Sequence, residues 1–334
     1  MRPFTYTKAA TVAEAVRVVA AADRETRFLA GGTTLYDLMK LNVETPTSIV
    51  DINSLSELSG FDTSGSNELT FGALARMSDV AADPRLMREY PALSESLWRA
   101  ASQQLRNMAS FGGNLLQRTR CAYFRGGEPF ACNKRNPGSG CAAREGVNRG
   151  HALLGGSSAC IAVYPGDLAI ALVAFDASID VLGPNGQRTI AVEHLHREPG
   201  TTPHIETVLE PDELILRIRV PVTHLGRGST YHKIRDRESY AFALASAAVA
   251  IRMEGDTVQD ARIAIGGLAT RPWRAREAEK ALIGQPLTLL TARAAGDAAL
   301  RGAKPTNDNS FRIELGARTV ADALMIAKQR ALAS

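Results

Sequence analysis

Residues 27–35 read RFLAGGTTL: a short strand Arg27–Ala30, the paired-glycine turn Gly31-Gly32-Thr33-Thr34, and the start of a helix over Leu35–Lys40. Residues 110–116, SFGGNLL, repeat the theme with two adjacent glycines between a hydroxyl and an amide. Glycine reaches φ > 0 and lets a ligand approach the peptide N–H groups, which can cradle phosphate oxygens. Each pair alone is equally a plain turn, but two in one chain suggest a diphosphate. Neither is G-x-G-x-x-G or G-x(4)-G-K-[ST], so a Rossmann site and a P-loop are excluded.

Outward from the first turn, Thr11-x-x-Glu14 is a capping box that opens a helix to Ala22, and Ser48–Ile52 reads as a strand. Residues 1–55 thus form a small α/β lobe. A second lobe, 56–225, opens with the strand LTFGAL (69–74) and helices at Met77–Asp83 and Ala92–Ala101. It resumes after an interruption with a strand Cys160–Tyr164, a helix Leu168–Phe175 and a hairpin at Pro184-Asn185-Gly186. The strand Glu213–Val220 stops at Pro221, and a domain boundary is expected near 225. In 226–334, strands at Ser229–Arg235, Phe242–Glu254 and Val258–Gly267 precede helices at Pro272–Ile283, Leu287–Leu300 and from Ser310 onward. Strands first and helices after is an α+β pattern.

The interruption holds all four cysteines, Cys121, Cys132, Cys141 and Cys160, in a Gly-, Pro-, Asn- and Arg-rich stretch without helical or strand periodicity. Loops this long in compact domains are usually functional or disordered. Four readings stand open on spacing alone. Two disulfides suit small secreted domains better than this chain. Structural zinc favours C-x(2–4)-C half-sites, and none is present. A [4Fe–4S] cube accepts thiolates from an open loop, and four unpaired thiols complete the set.

The chain's 334 residues are 45% hydrophobic with mean hydropathy −0.10, enough for two or three buried cores. No window reaches the ~18 uncharged apolar residues of a membrane helix. The stretch 9–22 is broken by Glu14 and Arg17, so no Sec signal is expected. The formal charge of +4 is local: segment 117–149 carries Arg118, Arg120, Arg125, Lys134, Arg135, Arg144 and Arg149 against Glu128 and Glu145. Such a loop would offset the field of an anionic cluster, or its arginines are solvated or face an acidic partner. Aromatics at 6% give little support to a base-stacking surface, so nucleic acid is not an expected partner. Of the six histidines, His194-x-His196 lacks an obvious third metal ligand, and a surface or core role is expected.

Six motifs in order, LAGGTTLYDLMK (29–40), FGALARM (71–77), QLRNMASFGGNL (104–115), YPGDLAIALVAFDA (164–177), PDELILRIRVP (211–221) and YHKIRDRESYAFALASAAVAI (231–251), span nearly the whole chain. Together they resemble the FAD-binding subunits of molybdenum hydroxylases of the xanthine dehydrogenase and carbon monoxide dehydrogenase group. RTRCAYF, CNKRNPGSGCAAREG and SACI are similar to the cysteine insertion in the FAD subunit of periplasmic aldehyde oxidoreductases, where it carries a [4Fe–4S] cluster.

The resemblance implies a two-lobed FAD-binding domain of the vanillyl-alcohol-oxidase (PCMH) type over 1–225, with the Fe–S insertion at about 117–160, and a C-terminal flavoprotein domain. It implies that Arg27, Phe28, Leu29, Ala30, Gly31, Gly32, Thr33, Thr34 and Leu35 wrap the FAD diphosphate. Ser110, Gly112, Gly113 and Asn114 form a second wall. Asp167 accepts from a cofactor hydroxyl, Ile215 packs on the flavin side and Lys233 lies near the polar edge. Asp167 has a competing reading as a helix N-cap, Ile215 as core and Lys233 as a solvated strand lysine. Ala100 and Ala101 stand where the family has larger side chains, which leaves the flavin-stacking residue open. Cys121, Cys132, Cys141 and Cys160 would ligate the cluster.

The implied role is electron transfer: a molybdenum-cofactor large subunit oxidises an aldehyde, a [2Fe–2S] small subunit relays electrons, and FAD here passes them to an external acceptor. No catalytic residue for the aldehyde is expected on this chain. By the same resemblance it assembles in the cytoplasm and reaches the periplasm with a twin-arginine-targeted partner. The alternatives are a stand-alone flavin oxidase of the same fold and a cluster-bearing nucleic-acid-binding protein.

Overall fold

The computed structural model describes residues 1–22 and 25–333. The chain begins with a parallel sheet in which β1 (Thr5–Lys8), β2 (Thr26–Leu29) and β3 (Ser48–Asp51) lie in the order β1-β3-β2. Two helices connect the strands, α1 (Val12–Ala21) and α2 (Leu35–Lys40). The Thr11 hydroxyl accepts from the Glu14 N–H at 3.1 Å, and the Glu14 carboxylate reaches back to the Ala10 N–H at 2.8 Å. Ala15, Val16 and Val19 of α1 then pack on Val50 and Ile52. β1 was not expected: TYTK is exposed throughout, and only its pairing with β3 makes it a strand.

After a 3-10 turn at Ser56–Leu58, a second sheet is built from β4 (Phe61–Asp62), β5 (Glu68–Gly72), β6 (Ser178–Gly183), β7 (Gly186–Ala191) and β8 (Leu214–Pro221). It is antiparallel, in the order β4-β5-β8-β6-β7. The excursion between β5 and β6 carries α3 (Met77–Ala81), α4 (Pro84–Glu89), α5 (Pro91–Trp98), α6 (Gln103–Met108), α7 (Phe111–Leu115), α8 (Ala122–Arg125) and α9 (Leu168–Ala174), and α10 (Val192–Leu195) follows β7. The strand expected at Cys160–Tyr164 does not form. Its backbone bonds scatter, with the Ile161 carbonyl taken by Ala152 and the Tyr164 N–H given to Ala269, so no ladder propagates. The helix expected over Ala92–Ala101 ends at Trp98, because Ala101 turns to φ +47°.

The third sheet contains β9 (Ser229–Ile234), β10 (Ala245–Glu254), β11 (Thr257–Gly266) and β12 (Trp273–Arg274), antiparallel in the order β12-β11-β10-β9. Helices α11 (Arg276–Leu282), α12 (Leu289–Ala299) and α13 (Phe311–Ala333) complete this part. β10 shows why two cores meet here. Ala247, Val249 and Ile251 face the cluster with Ala295, Val320 and Leu324, while the alternate Ala248 and Ala250 face the cluster that holds α9. α9 is apolar on every side because it is enclosed between two sheets. β12 occupies the start of the helix expected at Pro272–Ile283, and β10 begins at Ala245 rather than Phe242. Among the described residues no helix is long and apolar enough to cross a membrane.

Candidate functional site

The first glycine turn is set by close backbone approach. A Cβ on Gly31 would stand 2.0 Å from the Met108 carbonyl oxygen, so only glycine lets the turn lie against the Met108–Ala109 segment. Gly32 follows at φ +72°, a left-handed conformation that glycine adopts without strain. The amides of Gly31, Gly32, Thr33 and Thr34 have no acceptor among the described residues, and such a run of N–H groups suits an anion.

The second glycine pair is not a turn. Gly112 and Gly113 lie inside α7, with the Ser110 hydroxyl accepting from the Gly113 N–H at 3.3 Å. Phe111 N–H bonds to the Ala75 carbonyl at 3.1 Å and Gly112 N–H to Ala73 at 2.9 Å. These amides are satisfied within the chain, so the pair is no second nest. Its glycines serve proximity: a Cβ on Gly112 would meet the Ala73 Cβ at 3.1 Å.

Gly31, Gly32, Thr33, Thr34 and Gly113 form the waist of a two-chambered cleft. The smaller chamber, about 280 Å³, is walled by Arg27–Leu35, Ser110, Gly112, Leu214 and Ile215. The larger, about 630 Å³, is walled by Asn114, Gln117, Asp167, the Ala100–Ala101 turn, Arg120, Arg125 and Tyr240–Phe242. The Asn114 side-chain oxygen is buried without a partner, an acceptor that a bound hydroxyl or N–H would satisfy.

Asp167 occupies the N-cap position of α9 without capping it. Instead Tyr231 donates its hydroxyl to Oδ1 at 2.5 Å, and Lys233 donates to Oδ2 at 2.8 Å. Lys233 also holds the Arg99 carbonyl at 2.9 Å, which ties the carboxylate to the Ala100–Ala101 turn. Burial outweighs the ion pair, pushing the Asp167 carboxyl up and the Lys233 ammonium down. Lys233 is therefore neither solvated nor a lining residue; it contacts Asp167 from behind the chamber wall. Ile215 lies in the smaller chamber, apart from Asp167.

All four cysteines are free and line one small cavity with Phe124, Asn133 and Lys134. Cys132 and Cys141 are antiparallel bridge partners. Burial raises the Cys121 thiol to about 11 and pushes Cys160 up as well. His151 Nε2 lies 3.3 Å from Cys121 Sγ, and burial lowers the pKa of this histidine. Among the described residues, no three or more His, Cys, Asp or Glu side chains close on a single metal ion. Phe124 and Cys132 pack on Leu38 of α2, and Leu38 lines the smaller chamber, so the cysteine loop and the cleft share a wall.

Five of the loop's seven cations are paired with acids outside it. Arg118 bonds Glu44 and Glu206, Arg120 and Arg125 share Asp37, Lys134 reaches Glu206 and Arg149 reaches Asp236. Arg135 donates to the carbonyls of Tyr123, Phe124, Gly127 and Phe130, and Arg144 to that of Ser157. The excess charge read from sequence therefore fastens the loop to both flanking lobes. Asp37, Arg120, Arg125, Tyr240 and Phe242 are wall residues that sequence reasoning missed. The signals were the motifs themselves, since Asp37 lies in LAGGTTLYDLMK and Tyr240 and Phe242 in YHKIRDRESYAFALASAAVAI, and the adjacency of Arg120 to Cys121.

A model of the FAD binding domain in molybdopterin dehydrogenase matches residues 2–223, and one of the CO dehydrogenase flavoprotein C-terminal domain matches 229–325. The aldehyde oxidoreductase FAD-binding subunit PaoB of Escherichia coli K12 is 45% identical over 99% of this chain and 100% of its own length. The carbon monoxide dehydrogenase medium chain of Hydrogenophaga pseudoflava is 29% identical over 91% of this chain and 88% of its own. A solved carbon monoxide dehydrogenase from Hydrogenophaga pseudoflava, one lacking the Mo-pyranopterin moiety, superposes with TM-score 0.77 at 28% identity and covers 99% of both chains. The chain therefore belongs to the molybdenum hydroxylase family, as one of its FAD-binding oxidoreductase subunits.

Proposed function

We propose that this chain is the FAD- and [4Fe–4S]-carrying electron-transfer subunit of a molybdenum-dependent aldehyde oxidoreductase. The observation that carries the reading is the two-chambered cleft whose waist presents four amides without an acceptor among the described residues, in a chain 45% identical to an aldehyde oxidoreductase subunit. In this reading Gly31–Thr34 receive the diphosphate. The larger, more polar chamber takes the ring system, and the smaller one the adenosine, so Ile215 packs at the adenosine end. Asp167 keeps free lone pairs beyond its bonds to Tyr231 and Lys233 and accepts from a cofactor hydroxyl. Asn114 supplies a further polar contact. When bound, FAD accepts two electrons and releases them singly, which suits one-electron iron–sulfur carriers and an external acceptor.

Cys121, Cys132, Cys141 and Cys160 would hold the cluster. Four free thiols around one cavity favour this over disulfides, and buried thiols become thiolates only with a strong positive partner such as iron. Oxidation of the aldehyde falls to a molybdenum-cofactor large subunit, electron delivery to a [2Fe–2S] small subunit, and export to a twin-arginine-targeted partner.

The test is anaerobic. The isolated chain is mixed with benzaldehyde, flavin bleaching is followed, and the partner subunits are then added. Bleaching is expected only after the partners arrive; rapid bleaching by the chain alone overturns the reading in favour of a stand-alone flavin oxidase.

A further inference from the structure

We propose that His151 is a positioning residue of the cysteine cavity, donating its Nε2–H to Cys121 Sγ and held in place by the C-terminal part of the chain. The inference rests on reading that cavity as an iron–sulfur site. His151 is 7% exposed, and its Nε2 stands 3.3 Å from the sulfur. Reading Cys121 as an iron ligand makes its sulfur a thiolate, which can only accept, so in this contact Nε2 carries the proton and Nδ1 the lone pair.

The backbone of His151 is held largely by contacts remote in sequence. The His151 carbonyl accepts from Arg312 at 2.7 Å and from the Asn309 side chain at 3.1 Å, and its N–H donates to Asn148 at 2.9 Å. Arg312 is 1% exposed and also binds the carbonyls of Leu244 and Gly267, at the ends of β10 and β11. The Asn148 side-chain oxygen accepts from the Thr306 hydroxyl at 2.7 Å and the Asp308 N–H at 3.1 Å. The start of α13 and the third sheet thus fix a donor inside the cysteine loop. A hydrogen bond to a ligating sulfur stabilises the reduced, more negative cluster and raises its reduction potential.

The test uses the full chain purified anaerobically as wild type, His151→Phe and His151→Gln, with iron analysis, EPR line shape and an EPR-monitored redox titration. We expect full iron in all three. The phenylalanine variant loses about tenfold in the reduced-to-oxidised ratio at a fixed potential, about 59 mV for a one-electron couple, and glutamine, which retains an N–H donor, recovers part of it. Full iron with an unshifted potential in His151→Phe overturns the inference and leaves the cluster reading standing. Iron loss in both variants overturns it by making His151 a ligand. An iron-free wild type removes the cluster reading and this inference with it.

Discussion

Replacing Lys233 by methionine isolates the electrostatics behind the larger chamber. The lysine side chain is 1% exposed and donates to Asp167 at 2.8 Å and to the Arg99 carbonyl at 2.9 Å. Methionine conserves most of the volume, so the loss is charge and hydrogen bonding rather than packing. Asp167, 4% exposed, keeps only the Tyr231 hydroxyl. Removing one partner of a buried ion pair costs about 3–5 kcal/mol, and the freed Arg99 carbonyl adds about 1 kcal/mol. Asp167 relieves part of this by binding a proton, because burial already raises its pKa and loss of the ammonium raises it further. A folded-state pKa above the unfolded one means stability present at low pH and lost as pH rises through the folded value. The deficit is therefore expected to be larger at pH 8 than at pH 5. Urea unfolding of the full chain by circular dichroism, for wild type, Lys233→Met, Asp167→Asn and the double variant, reads both magnitude and sign. A deficit below about 1 kcal/mol at pH 8, or one that does not change with pH, refutes the reasoning.

The remaining predictions concern the turn, the cavity and the staple that Asp37 forms with Arg120 and Arg125. Gly31→Ala drives a Cβ to 2.0 Å from a backbone oxygen and is expected to abolish flavin retention, whereas Gly32→Ala meets only Leu29 Cδ1 at 3.3 Å and costs about 1–2 kcal/mol through its positive φ. The flavin-to-protein absorbance ratio after desalting separates the two, and equal retention would count against the close-approach argument. Cys141→Ser is expected to lower iron per chain or make the cluster labile; unchanged iron and EPR signal would remove Cys141 from the ligand set. Hydrogen bonding to Arg125 depresses the Asp37 pKa, so the staple's contribution stands above the ordinary carboxylate range and is lost as pH falls through the depressed value. Flavin fluorescence should therefore rise on acidification, and Asp37→Asn should show weakened retention already at neutral pH.

The elements legible in the sequence depend on residues a few positions apart. The Thr11–Glu14 box and the Gly183–Gly186 hairpin close through local hydrogen bonds, and Gly32 turns through its own backbone angle. The clustering of the cysteines was visible in the sequence, but a loop of that length can hold them far apart, and only the fold brings them to one cavity. SFGGNLL misled because a glycine pair looks the same whether its amides are free or taken, and here the Ala73 carbonyl takes that of Gly112 and the Ser110 hydroxyl that of Gly113.

Local φ/ψ preference, turn chemistry and apolar periodicity were determined by the chain's own order, and with them the strand–turn–helix that starts the cleft. Which remote group meets a given charge or amide was decided only by the sheet order and the packing of elements distant in sequence. That packing put Lys233 behind Asp167, Asp37 between Arg120 and Arg125, and His151 beside Cys121. The physical reason is range. A backbone turn is fixed by its neighbours, whereas a buried ion pair or an N–H···S contact exists only after distant segments have excluded water between them.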